Sequence, residues 1–354
     1  MNTIVSIDTL YLHVKYPTKD IYEKFHQEIL GVDTRIVKEG FVSGDVVIRN
    51  GANGYKLSVW KHDIRAYLTD QVDEMCGDGK GMGIWIQIGP RFLLQHANEL
   101  HQAINEFLSE IGIDLDYPIT ISRIDLAVDC LGLNMKDQNP NYWKEGWVGR
   151  SKVSKVFFNS RTGDLETICV GSRKSPIYLR IYDKVAESIE KGDYVYWWDV
   201  WNKFDGPVTR IEWEIKPKDG NFEKSLTDFR LFNGFTIREL MNYLLDWGKL
   251  CVPNSSDSNR NRWEEDRLWI ELQEQLEEWL DGVEWPSSRY GKEFKGVSEA
   301  YLKSVSGTLS GAMARLNPKD PNLISMIEGL EDSGENMEKI MRIAKLKAER
   351  IKRL

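Results

Sequence analysis

Up to about residue 250 the chain alternates short runs of every-second-residue hydrophobicity with stretches of helical spacing, and beyond that point the spacing is helical almost throughout. Strand patterns fall at VSIDTLYL (5–12), YKLSVWKHDI (55–64), MGIWIQIGP (82–90), SRIDLAVD (122–129), YLRIYDKVAE (178–187) and TRIEWEIKP (209–217). The first three resemble the last three in the same order, which predicts two half-units, 1–115 and 116–250, within one domain. Helical spacing at 95–111 and 236–249 supplies cover for one face. The expected fold class is α+β: antiparallel sheets in two pseudo-repeated half-units with helices on one face, followed by a helical C-terminal region. The polar stretch CVPNSSDSNRN at 251–261 reads as a linker and places a domain boundary there. Past it, Leu268, Leu272, Trp279 and Leu280 recur at helical spacing, 297–316 forms a second helix, and the last helix, from Asn336, ends with Lys345, Lys347, Arg350, Lys352 and Arg353. A basic face at a helix C-terminus is what the helix dipole favours, and such an end is also able to touch DNA.

Composition narrows this picture. No apolar run approaches the roughly 18 residues of a membrane span, and the N-terminus alternates like a strand instead of carrying a signal sequence, so the expectation is a cytoplasmic protein with no membrane partner. Cys76, Cys130, Cys169 and Cys251 stand far apart without a C-x-x-C pair, which predicts reduced, mostly buried thiols. The net charge of −8 means that any nucleic-acid binding has to come from a local basic patch.

Splitting the second-half strands by face gives the candidate chemistry. Ile124, Leu126 and Val128 oppose Arg123, Asp125, Ala127 and Asp129; Leu179 and Ile181 oppose Arg180, Tyr182 and, if the strand lasts that far, Lys184; Ile211, Trp213 and Ile215 oppose Arg210, Glu212, Glu214 and Lys216. The first half has Ser6, Asp8 and Leu12, then Ser58, Trp60 and His62, then Gly83, Trp85 and Gln87 at the matching places, so only one half carries the charge. Two readings stand side by side. The face is a solvent-facing surface of cross-strand ion pairs, or it is a site for metal-assisted phosphoryl chemistry with carboxylates for Mg2+ or Mn2+, cations for phosphate and a tyrosine nucleophile.

The ordered trio R-I-D-x-x-x-D at 123–129, G-S-R-x-S with R-x-Y-x-K-x-x-E at 171–187 and R-x-E-x-E at 210–214 resembles the replication initiation factor family, which includes rolling-circle plasmid initiators, filamentous-phage replication proteins and related relaxases of conjugative elements. The resemblance covers roughly the middle third of the chain. It implies an endonuclease that nicks one strand of origin DNA and joins strands, leaving a 5′-phosphotyrosyl link and a free 3′-OH. It makes Tyr182 the nucleophile, assisted by Arg180 and Lys184, and places the metal among Asp125, Glu212, Glu214 and Asp129. Arg123, Arg173, Lys174 and Arg210 become the DNA-binding residues. The implied partners are single-stranded or cruciform origin DNA, a host helicase and polymerase, and a second copy of the chain in a homodimer. No His-hydrophobic-His pair is present: His96 and His101 are five apart, and His13, His26 and His62 are isolated. That agrees with a carboxylate site.

Two aromatic clusters remain. YVYWWDVW (194–201) has the spacing of a helix face packed in a core, while NYWKEGWVGR (141–150) lies in a stretch punctuated by Gly, Asn and Pro that reads as a loop, where base stacking and packing are equal readings. Outside nicking by an initiator, the alternatives are a conjugative relaxase with the same chemistry and a non-catalytic DNA-binding protein that keeps the sheet.

Overall fold

A computed structural model of the chain describes residues 2–15, 19–70, 82–97, 99–113, 117–217, 227–232 and 234–281. The chain divides into two compact units, Met1–Tyr182 with Val208–Lys292, and Asp183–Pro207 with Glu293–Leu354.

The first unit is built on an antiparallel sheet. Its strands are β1 (Asn2–Val14), β2 (Phe41–Ser43), β3 (Val46–Asn50), β4 (Leu57–Lys61), β5 (Ile64–Leu68), β6 (Ile84–Ile88) and β7 (Ile119–Leu131), then β9 (Val153–Phe158), β10 (Leu165–Gly171), β11 (Ile177–Asp183) and β12 (Val208–Ile215). The short β8 (Trp147–Gly149) and β13 (Gly248–Leu250) pair separately. The order across the large sheet is β2-β3-β4-β5-β6-β1-β7-β12-β11-β10-β9. Read outward from the central β1–β7 pair, β6 answers β12 and β5 answers β11, so the two half-units form one continuous sheet instead of two lying side by side.

That order corrects two of the repeat matches. The strand beside β6 is Ile64–Leu68, so I-R-A-Y-L, and not 55–64, is the partner of L-R-I-Y-D in β11. Arg65 and Tyr67 therefore stand where Arg180 and Tyr182 stand, and Ser58, Trp60 and His62 belong one strand further out. On the central strands, Tyr11 lies opposite Gln87 as Asp125 lies opposite Glu214, which makes Tyr11 and not Asp8 the counterpart of Asp125.

Alternation turns one side of each strand into the core. Leu10, Leu12, Ile86, Ile88, Ile124, Leu126, Val128, Ile211, Trp213 and Ile215 are all buried, each removal of such a side chain from water being worth roughly 1.5–3 kcal/mol. Helices lie over this side. Expected as one helix over 95–111, the first is split into Pro90–Gln95 and Leu100–Ile111; the second of these buries Leu100, Ala103, Ile104, Phe107, Leu108 and Ile111 and ends at Gly112, whose φ of 93° is left-handed. Gly234–Trp247 buries Ile237, Leu240, Met241, Leu244 and Trp247.

The helix Arg267–Asp281 follows the stretch expected as a linker, yet it joins the same core. Its inward stripe includes Trp269, Leu272 and Leu276, with Trp269 edge-on to Trp147 at 5.3 Å; of the residues the spacing pointed to, Leu272 is in this stripe, Leu268 packs partly buried against the core, and the side chains of Trp279 and Leu280 lie outside the described residues. Residues 141–150 are a helix, Pro140–Gly146, running into β8. The Asn139 side chain accepts from the backbone N–H groups of Asn141 and Tyr142 and so converts the apparent loop signal into a helix cap. Trp143 and Trp147 are buried, which decides for packing. Cys130, Cys169 and Cys251 are free and buried. The expected helix at 297–316, the basic last helix and Cys76 lie outside the described residues. Among the described residues, no helix is long and apolar enough to cross a membrane.

The second unit is described over Asp183–Pro207, with helices Lys184–Lys191 and Tyr194–Val200. Asp183 caps the first by accepting from the N–H of Ala186 at 2.9 Å, so the polar strand stops at Asp183 and Lys184 opens a helix. Tyr194, Trp197, Val200 and Trp201 are buried, as the packing reading of this cluster expects.

Candidate active site

The polar face of β7, β11 and β12 is an ionic network. Antiparallel pairing sets Asp125 opposite Glu214 and Asp129 opposite Arg210. Arg123 grips Asp125 with Nε and Nη2 at 2.8 and 2.5 Å and reaches Glu214 at 3.0 Å, and Glu214 also binds Lys216. Arg210 donates to both oxygens of Asp129 at 2.5 and 2.8 Å and, through Nη1, to Asp8 of β1. Arg180 bonds Oε1 of Glu212, and the Tyr182 hydroxyl donates to Oε2 of the same carboxylate at 2.6 Å. The Arg180 guanidinium also lies 5.4 Å from the Tyr182 ring centroid.

This face is not solvent-exposed. Asp125, Asp129, Arg210, Glu212 and Glu214 are all buried, and Tyr182 is 7% exposed. Charges at that depth persist because every carboxylate meets a cation. Burial, together with Glu212 and Asp8, pushes Asp125 up to about 7 against the pull of Arg123. Burial acts to lower Arg210, but Asp129 and Asp8 outweigh it and hold the guanidinium well above its ordinary value; Glu212 and Tyr182 do the same for Arg180.

Not all the sequence-selected residues gather at Tyr182. Lys184 belongs to the second unit, where its ammonium donates to Glu187 at 2.7 Å and lies 4.3 Å from the Trp197 ring centroid. Arg173 and Lys174 are exposed in the turn between β10 and β11. Four strand residues, about 13 Å, separate Tyr178 at that end from Tyr182, and the turn meets the network at its other end, where Lys216 donates to the Arg173 carbonyl at 2.5 Å. Arg210 is fully buried and is ion-paired with Asp129 and Asp8. The member that strand-by-strand reading missed is Asp8; Lys216 stood on the β12 face without a role. Asp8 stood out only as a first-half residue, and nothing local in sequence shows that a β1 side chain reaches β12.

Among the described residues, no group of three or more His, Cys, Asp or Glu side chains is placed to hold a metal ion. Asp125, Asp129, Glu212 and Glu214 alternate with guanidinium groups, so as arranged this donor set does not fit a divalent ion. We derive no step through one.

The first-half continuation of the same face is different in kind. Tyr11 pairs across to Arg123, whose guanidinium lies 5.1 Å from the Tyr11 ring centroid. Trp85 contacts Tyr11 edge-on at 5.4 Å and stacks on Tyr67 at 4.9 Å, with Tyr55 at 6.1 Å. Arg49 and Arg65 both lie on the Trp60 ring, at 4.5 and 4.3 Å. The Tyr67 hydroxyl, counterpart of that of Tyr182, donates to the Gln87 amide oxygen at 3.2 Å, so it has no carboxylate to take its proton.

No family model and no curated protein matches the chain. Among solved structures it is similar to a rolling circle replication initiator protein from Geobacillus stearothermophilus, at 16% identity and a TM-score of 0.46, over 78% of this chain and 97% of that chain.

Proposed function

We propose that the chain is a rolling-circle replication initiator that nicks one DNA strand through Tyr182. The observation that supports this reading most is the hydrogen bond from the Tyr182 hydroxyl to Glu212. A phenol has a pKa of about 10 and is a poor nucleophile until its proton has somewhere to go. Glu212 Oε2 accepts that proton while Tyr182 Oη attacks the scissile phosphorus. The bond from phosphorus to the 3′-oxygen breaks, the 3′-oxygen takes a proton from water and leaves as a hydroxyl, and the 5′-phosphate stays on the tyrosine. Arg180, bound to the other oxygen of Glu212, keeps that carboxylate oriented and adds positive charge beside the reacting oxygen. The sequence trio at 123–129, 171–187 and 210–214 supports the same reading, because its strands supply Tyr182, Arg180 and Glu212.

A second reading has an observation of its own. Tyr182 is 7% exposed and the acids around it are each bound to a cation, which is also the condition of a purely structural network in a non-catalytic DNA-binding protein.

One experiment separates them. Single-stranded fragments tiled across the replicon that encodes the chain are incubated with the protein, with Mg2+, with Mn2+ and with chelator. The nicking reading expects a covalent protein–DNA adduct that Tyr182→Phe abolishes and that maps to residue 182. DNA binding without an adduct under every condition would establish the non-catalytic reading. The chelator arm reads metal dependence directly.

A further inference from the structure

We propose that the first-half sheet face is a stacking platform for an unpaired DNA strand, a binding site separate from the Tyr182 network. Residues paired across an antiparallel ladder share a face. Trp60 pairs with Arg65, Arg65 with Gln87, Gln87 with Tyr11 and Tyr11 with Arg123, forming one row across five neighbouring strands. The adjacent row runs Arg49, Ser58, Tyr67, Trp85 and His13. From β4 to β7 the first row spans four strand spacings, about 19 Å, and it arrives at the Arg123 that binds Asp125 and Glu214.

Charge complementarity identifies the occupant. The chain carries a net charge of −8, yet Arg49 and Arg65 have no carboxylate partner among the described residues. Buried Nε of Arg49 has no hydrogen-bond partner among the described residues. Both guanidinium groups rest on one indole, whose own N–H is held by Ser58 at 2.8 Å. Tyr11, Trp60 and Trp85 are half-buried. Flat aromatic surface next to unneutralised guanidinium is what a splayed nucleotide strand needs: bases stack on the rings, and phosphates pair with the guanidinium charge. A duplex keeps its base faces within its own stack and has little use for the rings. The choice of DNA over RNA rests on the nicking reading; the stacking platform does not.

The test is equilibrium binding of a fluorescent twelve-nucleotide oligothymidylate to the full chain. The proposal expects about tenfold weaker binding for Trp60→Ala, with Trp60→Phe close to wild type. In the double variant Arg49→Met, Arg65→Met, the slope of log affinity against log salt becomes shallower by about 1.4, corresponding to two phosphates on a single strand. An abasic strand of the same length serves as the control that needs no mutation: wild type binds it about tenfold less tightly than the oligothymidylate, and Trp60→Ala shows little further loss. Equal affinity of wild type for the abasic and thymidine strands overturns the platform, as does unchanged binding by a folded Trp60→Ala protein. Binding of oligouridylate with none of oligothymidylate overturns the choice of DNA. The nicking reading stands or falls independently, because Tyr182→Phe leaves the oligothymidylate affinity at its wild-type value if the two sites are separate.

Discussion

The two halves of one sheet face share a backbone plan and differ in what their arginines touch. In the second half Arg123, Arg180 and Arg210 each bind a buried carboxylate, and Arg210 is itself buried. In the first half Arg49 and Arg65 lie on Trp60, with no acid paired to them among the described residues. R-x-Y occurs in both, as Arg65-Ala66-Tyr67 and Arg180-Ile181-Tyr182, but Trp85 and Gln87 replace Glu212 and Glu214 on the strand alongside. The tyrosine of the second half thus has a proton acceptor and that of the first has an amide. What distinguishes the two tyrosines here is the neighbouring strand.

The largest expected effect comes from emptying the charge out of one half only. Arg210→Met leaves Asp129 and Asp8 without their guanidinium at a buried site and is expected to cost about 3–5 kcal/mol, read as a fall in the urea midpoint. A smaller loss, about 1.5–3 kcal/mol, is expected for Glu212→Gln, which exchanges the charged acceptor of Arg180 and Tyr182 for a neutral one. The third test is pH. Asp125 is pushed up to about 7, above its ordinary 3.8, so the folded state holds its proton more tightly than the unfolded chain. Its stabilising contribution is fully present below about pH 4 and is lost as pH rises through about 7, at no more than about 1.4 kcal/mol per pH unit. Asp125→Asn removes that term, so stability measured from pH 4 to 7 falls less steeply in the variant than in wild type. Smallest of all is Arg65→Met, expected to cost under about 1 kcal/mol because it removes one exposed-type cation–π contact and leaves no acid stranded. Equal costs for Arg210→Met and Arg65→Met would erase the contrast between the halves.

Much of this arrangement is legible from local pattern. Period-two alternation places Arg123, Asp125 and Asp129 on one side of β7 and Arg210, Glu212 and Glu214 on one side of β12, and the ladder brings those sides together. Alternation cannot tell whether a polar face is covered, because burial depends on partners supplied from other strands, such as Asp8 for Arg210. Pairing order is equally nonlocal: I-R-A-Y-L echoes L-R-I-Y-D in five residues, yet YKLSVWKHDI offered a longer chance likeness and drew the repeat one strand out of place. The failure at 141–150 is of another kind, since Asn139 and Pro140 serve equally as loop punctuation and as the cap and first residue of a helix.

The central claim is that Glu212 makes Tyr182 a nucleophile, and mapping the covalent adduct on single-stranded origin DNA tests it most directly. The account predicts an adduct at Tyr182 in wild type, none in Tyr182→Phe, and a rate about 10²–10⁴ lower in Glu212→Gln. An adduct that persists in Tyr182→Phe, or that forms as fast in Glu212→Gln as in wild type, would contradict it.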